Sequence, residues 1–321
     1  MNFDIHGIKV KSDKSYFFPD HFKTEKDFSP DLTIDRFSYK NFNKDGYEKL
    51  GLQYWGGNNK VYFQSGSIYK NLQKILISDL FSRTTFSFRS YNERHGIENI
   101  IKLLFQIKLL QKNCTLVHAA GLEKDGRGII MSGWPRTGKS SSALRLAQRK
   151  EYNILGDDMV IISANGRIYS FPKRVGVFYK NNYHLDLTDS ERRKLFLKYA
   201  AVKITPPKFL RLDRSLRLEL GRFSDITEGA DLKEVYVVRK TKGELKAELE
   251  ESVAVDKALT HVLNIFYHRP FAKRIFFAYC LLNNENPLYF EEKTKEIIKD
   301  AFEGKQCYLL RNREGNFEGA F

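Results

Sequence analysis

The eight residues Gly133–Ser140 carry the clearest chemistry in the sequence. They read GWPRTGKS, which satisfies the phosphate-loop pattern GxxxxGK[ST] at every fixed position. In such a loop the glycines let the backbone curl so that N–H groups point at phosphate oxygens, while Lys139 neutralises the β- and γ-phosphates and the Ser140 hydroxyl binds Mg²⁺. We therefore predict that a nucleoside triphosphate, ATP with Mg²⁺, is bound by Gly133, Trp134, Pro135, Arg136, Thr137, Gly138, Lys139, Ser140 and Ser141.

Two acidic residues follow the loop closely. Asp157 and Asp158 follow the apolar run Tyr152–Leu155, and Asp157 lies about 18 positions beyond Lys139. Adjacent carboxylates beside a phosphate loop can divide the work, because one can hold Mg²⁺ while the other accepts the proton of an attacking hydroxyl. The residue types leave open which aspartate takes which role. A solvated Asp-Asp turn is the competing interpretation, since such pairs are common in turns.

The elements around the loop are those that a phosphate loop requires. Ile129–Ser132 predicts a strand that leads into the loop, and Ser140–Lys150 has the spacing of a helix that follows it. Further on, Val255–Leu282 predicts mostly helix with an interruption at Pro270. The remaining predicted elements are the strand Thr115–Leu122, the hairpin turn Asp125–Gly128, the strands Tyr152–Leu155 and Met159–Ile162, the hairpin turn Asn165–Gly166 and the strand Val235–Val238. This order predicts an α/β core, and the hairpins predict a mixed sheet.

The first 95 residues have a different character. Aromatic, Gly and Asn residues cluster there, as in Tyr54–Asn59 followed by Val61–Phe63, which predicts short strands separated by turns. Ile97–Gln111 then places apolar residues at helical spacing and predicts an amphipathic helix packed on a core. We expect two regions, a β-rich N-terminal region over residues 1–95 and a phosphate-loop domain over residues 96–321.

Three motifs occur in order between Cys114 and Val177: LVHAA at Leu116–Ala120, the loop GWPRTGKS, and LGDDMV at Leu155–Val160. Together they resemble the core of HPr kinase/phosphorylase-related proteins, which are themselves related to phosphoenolpyruvate carboxykinase. In that superfamily a P-loop lies on a mixed sheet, an Asp-Asp pair follows closely, and a His lies on the preceding strand. The resemblance implies an α/β fold with a mixed-sheet P-loop kinase core, in a divergent member of the group.

Carried over residue by residue, the resemblance implies a catalytic set. Lys139 and Ser140 would bind phosphate and Mg²⁺, and Asp157 and Asp158 would be the catalytic base and a metal ligand. His118 would lie near the transferred phosphate. Without the resemblance, His118 is a single histidine on an apolar strand, and such histidines are more often satisfied core residues.

The chain departs from HPr kinases proper at two places. They usually carry Glu directly after the loop Lys-Ser, where this chain has Ser141 and Ser142. They also carry Glu-x-Arg-Gly-x-Gly after the Asp pair, where Phe171–Val177 retains basic residues and a glycine but no acidic metal ligand. Lys173 and Arg174 in that segment are candidates for substrate contact, and an exposed basic turn is an equal alternative. The departures argue against HPr as the substrate.

The combined features predict an ATP-dependent kinase that transfers the γ-phosphate to a serine-type hydroxyl of a peptide or protein. Some relatives phosphorylate such a serine, including in precursors of lasso peptides. Two alternatives stay open. A kinase of a small molecule or a nucleic-acid hydroxyl fits the net charge of +15, although no aromatic-interleaved basic motif supports nucleic acid. A nucleotide-sensing regulator without catalysis is the other alternative.

Composition narrows the setting. The 321 residues are 42% hydrophobic, enough for a sizeable core, and no apolar stretch is long enough to span a bilayer. The first residues lack the apolar segment of a secretory signal, and three widely spaced cysteines form no disulfide framework. We therefore expect a cytoplasmic protein without a membrane partner. Both a monomer and a homo-oligomer are compatible with the sequence.

Overall fold

The computed structural model describes residues 1–36, 44–65, 73–89, 96–149, 151–179, 186–204, 215–267, 270–313, 317 and 319. The chain divides into two compact units. The first comprises Met1–Leu116 and Leu259–Asp300, and the second comprises Val117–Ala258 and Ala301–Phe321. These units describe packing, and the division into domains at residues 95 and 96 stays a prediction. All of the predicted site residues lie in the second unit.

Four of the described helices lie where apolar periodicity predicts helix, whereas the helices Asp189–Ile204 and Tyr289–Phe302 were not predicted. The predicted helix Ile97–Gln111 has the predicted bounds, and Pro270 is the first residue of a new helix, where its missing N–H costs nothing. The helices are α1 (Ile97–Gln111), α2 (Lys139–Gln148), α3 (Asp189–Ile204), α4 (Glu251–Tyr267), α5 (Pro270–Leu282) and α6 (Tyr289–Phe302). The predicted end of the helix after the loop, Lys150, lies outside the described residues. None of the described helices has the length and apolar character that crossing a membrane requires.

The first unit is built on a nine-stranded sheet within the described part of the chain, with order β3-β1-β2-β4-β9-β8-β7-β6-β5. Its strands are β1 (Asn2–Ile5), β2 (Ile8–Ser12), β3 (Lys23–Thr24), β4 (Leu32–Arg36), β5 (Glu48–Leu50), β6 (Tyr54–Gly57), β7 (Lys60–Ser65), β8 (Gln73–Ser78) and β9 (Thr84–Arg89). In β9 the buried residues Thr84, Phe86 and Phe88 alternate with more exposed ones, so one face of the strand packs on a core. Helices α1 and α5 contact this sheet.

The second unit contains a mixed sheet in which β14-β15-β18-β12-β11-β13 are neighbours in this order. Strand β20 pairs with both β18 and β19. Strand β12 is antiparallel to β11 but parallel to β18, as the predicted mixed sheet requires. The remaining strands are β10 (Cys114–Val117), β11 (Ala119–Lys124), β12 (Arg127–Ser132), β13 (Asn153–Gly156), β14 (Val160–Ser163), β15 (Arg167–Tyr169), β16 (Val175–Phe178), β17 (Ser215–Leu218), β18 (Gly229–Lys240), β19 (Leu245–Glu248) and β20 (Gln306–Asn312). The fold class is therefore α/β with large mixed sheets.

The two predicted hairpins are present, and each depends on a local backbone signal. Asp125 and Gly126 both have positive φ, 51° and 76°, which is the geometry of a tight hairpin turn between β11 and β12. Gly166 has a φ of 74° between the antiparallel strands β14 and β15. These turns place β12, and with it the entry to the phosphate loop, in the middle of the sheet.

The prediction of one continuous strand over Thr115–Leu122 is wrong. The strand is interrupted at His118, so that β10 ends at Val117 and β11 begins at Ala119. The His118 carbonyl accepts a hydrogen bond from the Ser132 hydroxyl at 3.4 Å, and the ladder with β12 starts only at Ala119. The apolar run hides this break because side-chain hydrophobicity does not report where backbone pairing changes.

Candidate active site

The two fixed glycines of the phosphate loop are explained by their surroundings. A Cβ at Gly133 would lie 2.6 Å from the Val238 carbonyl oxygen, closer than real Cβ contacts allow. Gly138 has a φ of 106°, in the left-handed region where glycine is unstrained, and it directly precedes α2. The loop thus packs against β18 and then turns sharply, so that the first turn of α2 forms its far side.

Lys139 lies inside the loop, with a side chain that is almost completely buried. Its ammonium donates to the carbonyl oxygens of Gly133 at 2.6 Å and Trp134 at 3.0 Å. Burial lowers the pKa of Lys139 to about 8, against the opposing effect of the carboxylates of Asp158 and Asp157. The loop therefore holds a partly desolvated cation at the position where a P-loop lysine meets phosphate.

The rim of the loop is open to solvent. Trp134, Pro135 and Arg136 are exposed, whereas Thr137 is buried and its hydroxyl donates to the Trp134 carbonyl at 2.9 Å. The first turn of α2 contains no acidic side chain, so its positive dipole end is not neutralised from within the helix. Both features favour an anion at the loop.

Asp157 lies against the loop from the side of β13. Its carboxylate accepts a hydrogen bond from the Ser140 hydroxyl, and burial raises the pKa of Asp157 to about 6. The Asp157 Oδ1 atom is buried and has no hydrogen-bond partner among the described residues. A carboxylate oxygen in that position is costly unless it is protonated or binds a cation, so Asp157 and Ser140 together fit one side of a Mg²⁺ site.

Asp158 has a different environment from its neighbour. Its side chain is 54% exposed, with Oδ1 at 3.3 Å from His118 Nε2 and Oδ2 at 3.9 Å from Lys173 Nζ. His118 is buried, and its Nδ1 atom has no hydrogen-bond partner among the described residues. Asp157 therefore faces the loop, whereas Asp158 is more exposed and lies between His118 and Lys173.

The divergence of the two aspartates follows from the turn that carries them. Strand β13 ends at Gly156 and β14 begins at Val160, so the pair lies at a strand end, where adjacent side chains need not alternate across a sheet. A Cβ at Gly156 would lie 2.2 Å from the Met159 carbonyl oxygen, so only glycine permits this tight turn. Gly156 was not predicted as a functional residue, although its place directly before the pair is a usable signal.

The structure brings all four predicted catalytic residues together. Of the two predicted substrate residues, Lys173 lies beside Asp158 and Arg174 pairs with Glu219. Ser142, at one of the positions where HPr kinases carry Glu, is fully buried and accepts a hydrogen bond from the Phe317 backbone N–H at 3.0 Å. Ser142 therefore anchors the chain end in the core. Ser141 is half-buried at the start of α2.

The metal-binding capacity of the site depends on the nucleotide. No group of three His, Cys, Asp or Glu side chains within the described ranges could hold a metal ion alone. Mg²⁺ usually retains waters and binds through one or two protein oxygens together with substrate phosphates. Ser140 and Asp157 meet that requirement, so the residues fit an ion that arrives with a nucleotide.

Comparison with known proteins adds no family assignment. The chain matches no protein-family model, and no curated protein matches it significantly.

Proposed function

We propose that this chain is an ATP-dependent P-loop kinase that transfers the γ-phosphate to a serine-type hydroxyl of a peptide or protein. The observation that carries the proposal is the contact between Ser140 of the loop and the buried carboxylate of Asp157, with Asp158 beside it. A loop that only bound phosphate would need neither carboxylate. The three motifs that resemble HPr kinase/phosphorylase-related proteins support the same conclusion, and a cytoplasmic location belongs to the proposal.

The loop binds the triphosphate in this mechanism. The Lys139 ammonium leaves the Gly133 and Trp134 carbonyls and pairs with the β- and γ-phosphates, which offer it full negative charge in place of two dipoles. Ser140 and Asp157 hold Mg²⁺, which when bound neutralises charge that develops on the phosphates. Because Lys139 is already buried within the loop, little of its conformational entropy is left to lose on binding.

The environments of the aspartates divide their roles. Asp157 touches the loop hydroxyl and is buried, so it is the metal ligand. Asp158 is exposed enough to meet an acceptor, so it takes the proton of the attacking hydroxyl. The acceptor oxygen forms a bond to the γ-phosphorus. The bond between that phosphorus and the oxygen that bridges the β- and γ-phosphates breaks, and ADP leaves.

His118 and Lys173 position the base. Both place a nitrogen near a carboxylate oxygen of Asp158, at 3.3 Å and 3.9 Å. When His118 is neutral, an N–H at Nε2 donates to Asp158 and fixes its orientation without removing its capacity to accept a proton. Lys173 adds positive charge beside the acceptor hydroxyl, where an alkoxide-like oxygen develops.

The acceptor class rests on chemistry and charge. A serine hydroxyl requires a base, which Asp158 supplies, and the net charge of +15 attracts a partner with acidic groups around that serine. We therefore favour an acidic peptide or protein segment as the acceptor over a small alcohol.

The decisive experiment follows the phosphate. The purified chain is incubated with γ-labelled ATP, Mg²⁺ and a cell extract, and labelled species are identified by mass spectrometry. We expect phosphoserine on a peptide or protein with wild type, and loss of that label with Asp158→Asn or Lys139→Ala. Asp231→Asn is the matched control, because Asp231 is exposed on β18, where it pairs with Arg167.

Three outcomes would overturn the proposal in whole or in part. Equal labelling by wild type and Asp158→Asn would show that Asp158 is not the base. Release of inorganic phosphate without any labelled acceptor would favour a nucleotide-sensing regulator. Label on RNA or a metabolite would contradict a peptide or protein as the acceptor.

A further inference from the structure

A second concave site lies in the same unit, on the sheet rather than at the loop. This open groove has a volume of about 400 Å³, within the range of small-ligand pockets, and Ile129 and Tyr236 are among the residues that line it. Ile129 pairs with Glu234 of β18, and Tyr236 pairs with Tyr308 of β20, so adjacent strands supply this part of the lining. We call this site the tyrosine groove.

Aromatic rings form the walls of the tyrosine groove. Tyr236 and Tyr308 are stacked with ring centroids 5.1 Å apart and an interplanar angle of 21°. Tyr152 lines the groove as well, just before β13. Tyr236 is only 2% exposed, whereas Tyr308 and Tyr152 are partly exposed, so these last two rings offer flat apolar surface to a planar ligand. Stacking of a nucleobase on such a ring is favourable for every base.

Cations border the rings. The Lys246 ammonium lies 4.9 Å from the centroid of Tyr308 and 5.4 Å from that of Tyr236, and the Lys124 ammonium lies 5.3 Å from that of Tyr152. Contact with the ring faces limits where each ammonium can point, which prepares it to meet an anion. Arg127 and Lys233 add two further positive charges to the lining.

Two carboxylates also line the groove and restrict the ligand class. Glu234 accepts a hydrogen bond from the Tyr236 hydroxyl at 2.5 Å, and Asp125 lies at the tip of the hairpin. A simple anion gains nothing from these carboxylates. A ligand with hydroxyl or amino donors does gain from them, as a ribose does when an acidic residue accepts its hydroxyl hydrogen bonds.

We propose that the tyrosine groove binds a nucleoside monophosphate, with the base on the tyrosines, the phosphate among Lys124, Arg127 and Lys246, and the ribose or amino groups on Glu234. Rings, cations and acceptors are then all used by one ligand. The proposal does not depend on the kinase activity, because no residue of the phosphate loop or the aspartate pair lines the groove.

The groove and the phosphate loop have no lining residue in common. Arg127 begins β12 and the loop follows its end, so the Arg127 side of the groove is roughly 20 Å from the loop at about 3.3 Å per residue, whereas Tyr236 pairs with Met131, roughly 7 Å from it. Ala143 and Leu144 of α2 share a core cluster with Met131 and Tyr236. Groove binding is therefore measured with the loop disabled, so that nucleotide bound at the loop is not counted as binding in the groove.

The test uses calorimetric titration of AMP, GMP and CMP into the full chain carrying Lys139→Met, which disables the loop. We expect saturable binding of one equivalent of mononucleotide. Tyr308→Leu and Lys246→Met should each weaken it at least tenfold, whereas Lys240→Met, an exposed lysine elsewhere on β18, should change it less than twofold. Inorganic phosphate should bind at least tenfold more weakly than AMP, because it cannot stack.

Three results would overturn the proposal. They are no saturable binding of any mononucleotide, binding that Tyr308→Leu and Lys246→Met leave unchanged, and binding of inorganic phosphate as tight as that of AMP. Affinity for single-stranded RNA that rises with oligonucleotide length while mononucleotides do not bind would replace it with a nucleic-acid surface. Far-UV circular dichroism of each variant separates these results from unfolding.

Discussion

The two units each contain a buried lysine whose pKa is lowered to about 8 by burial, Lys108 in the first and Lys139 in the second. Lys108 belongs to α1 and donates to the carbonyls of Leu80 at 2.9 Å and Ser82 at 2.5 Å and to the side chain of Gln111 at 3.2 Å. All three hydrogens of its ammonium are used. Lys139 donates to two carbonyls of its own loop.

The comparison shows that a perturbed pKa does not by itself identify a functional residue. Lys108 joins α1 to the backbone of Leu80 and Ser82, and the Gln111 side chain accepts its third hydrogen. Lys139 lies at the end of a glycine-shaped loop with Asp157 and Asp158 nearby. We therefore base the proposed role of Lys139 on its loop and its neighbours, and not on the lowered pKa that it shares with Lys108.

Matched substitutions of Lys139 and Lys108 should show the largest difference between the two lysines. Lys139→Met should lower phosphate transfer at least about 1,000-fold, because the transferring phosphate loses its main cationic partner. Lys108→Met should leave transfer within about twofold but lower the free energy of unfolding by about 1–3 kcal/mol, since the Leu80 and Ser82 carbonyls lose a buried donor. Transfer assays and urea unfolding measure the two effects. A reversed pattern would contradict the assignment of both lysines.

The next effect concerns the base. Asp158→Asn should lower the turnover number by about 100- to 10,000-fold, the usual contribution of general base catalysis, because an amide cannot accept the proton. The affinity for ATP with Mg²⁺ should change less than about threefold, since Asp158 lies on the solvent side of the pair. Steady-state kinetics and calorimetry test this, with Asp231→Asn on the surface of β18 as the matched carboxylate control. A large loss of ATP affinity would assign Asp158 to the metal instead.

Asp157 should show its role in stability. Its pKa is raised from 3.8 to about 6, so the folded state without nucleotide binds more protons than the unfolded state between those values. The free energy of unfolding should therefore fall as the pH rises from about 4 to about 6 and stay level above, and Asp157→Asn should remove this fall. At pH 7 the substitution should stabilise the nucleotide-free protein by on the order of 2–3 kcal/mol.

Mg²⁺ provides the control for that prediction. ATP with Mg²⁺ should raise the melting temperature of wild type well above the rise with ATP alone, while Asp157→Asn should respond equally to both. A stability profile of Asp157→Asn with the same slope as wild type would show that another group causes the pH dependence.

The smallest expected effect is a pH dependence of nucleotide affinity. Because the pKa of Lys139 is about 8 in the free protein and phosphate favours its charged form, affinity should fall by up to about tenfold per pH unit above 8. Lys108→Met should show the same fall, whereas Lys139→Arg, which stays charged, should flatten it. Titrations between pH 7 and pH 9.5 distinguish the variants, and a fall that persists in Lys139→Arg would exclude Lys139 as its source.

Much of the local structure was predictable because its causes are local. The helix Ile97–Gln111 follows from apolar spacing alone, and the turn at Asp125 and Gly126 follows from residue types that tolerate positive φ. The phosphate loop follows from glycines whose need is visible in the motif. The break at His118 was not predictable, because it depends on backbone pairing with β12, which begins only at Ala119, opposite Ser132.

The sequence alone determined the phosphate loop, the aspartate pair and the mixed α/β class, because each is written in residues adjacent along the chain. Only the tertiary structure decided that Asp157 faces Ser140 while Asp158 faces His118, and that Ser142 anchors Phe317 across 175 positions. It also brought Tyr236 and Tyr308 together. Residue type sets what a side chain can do, but burial and the partners supplied by distant segments decide what it does, because desolvation and pairing control charge and hydrogen bonding.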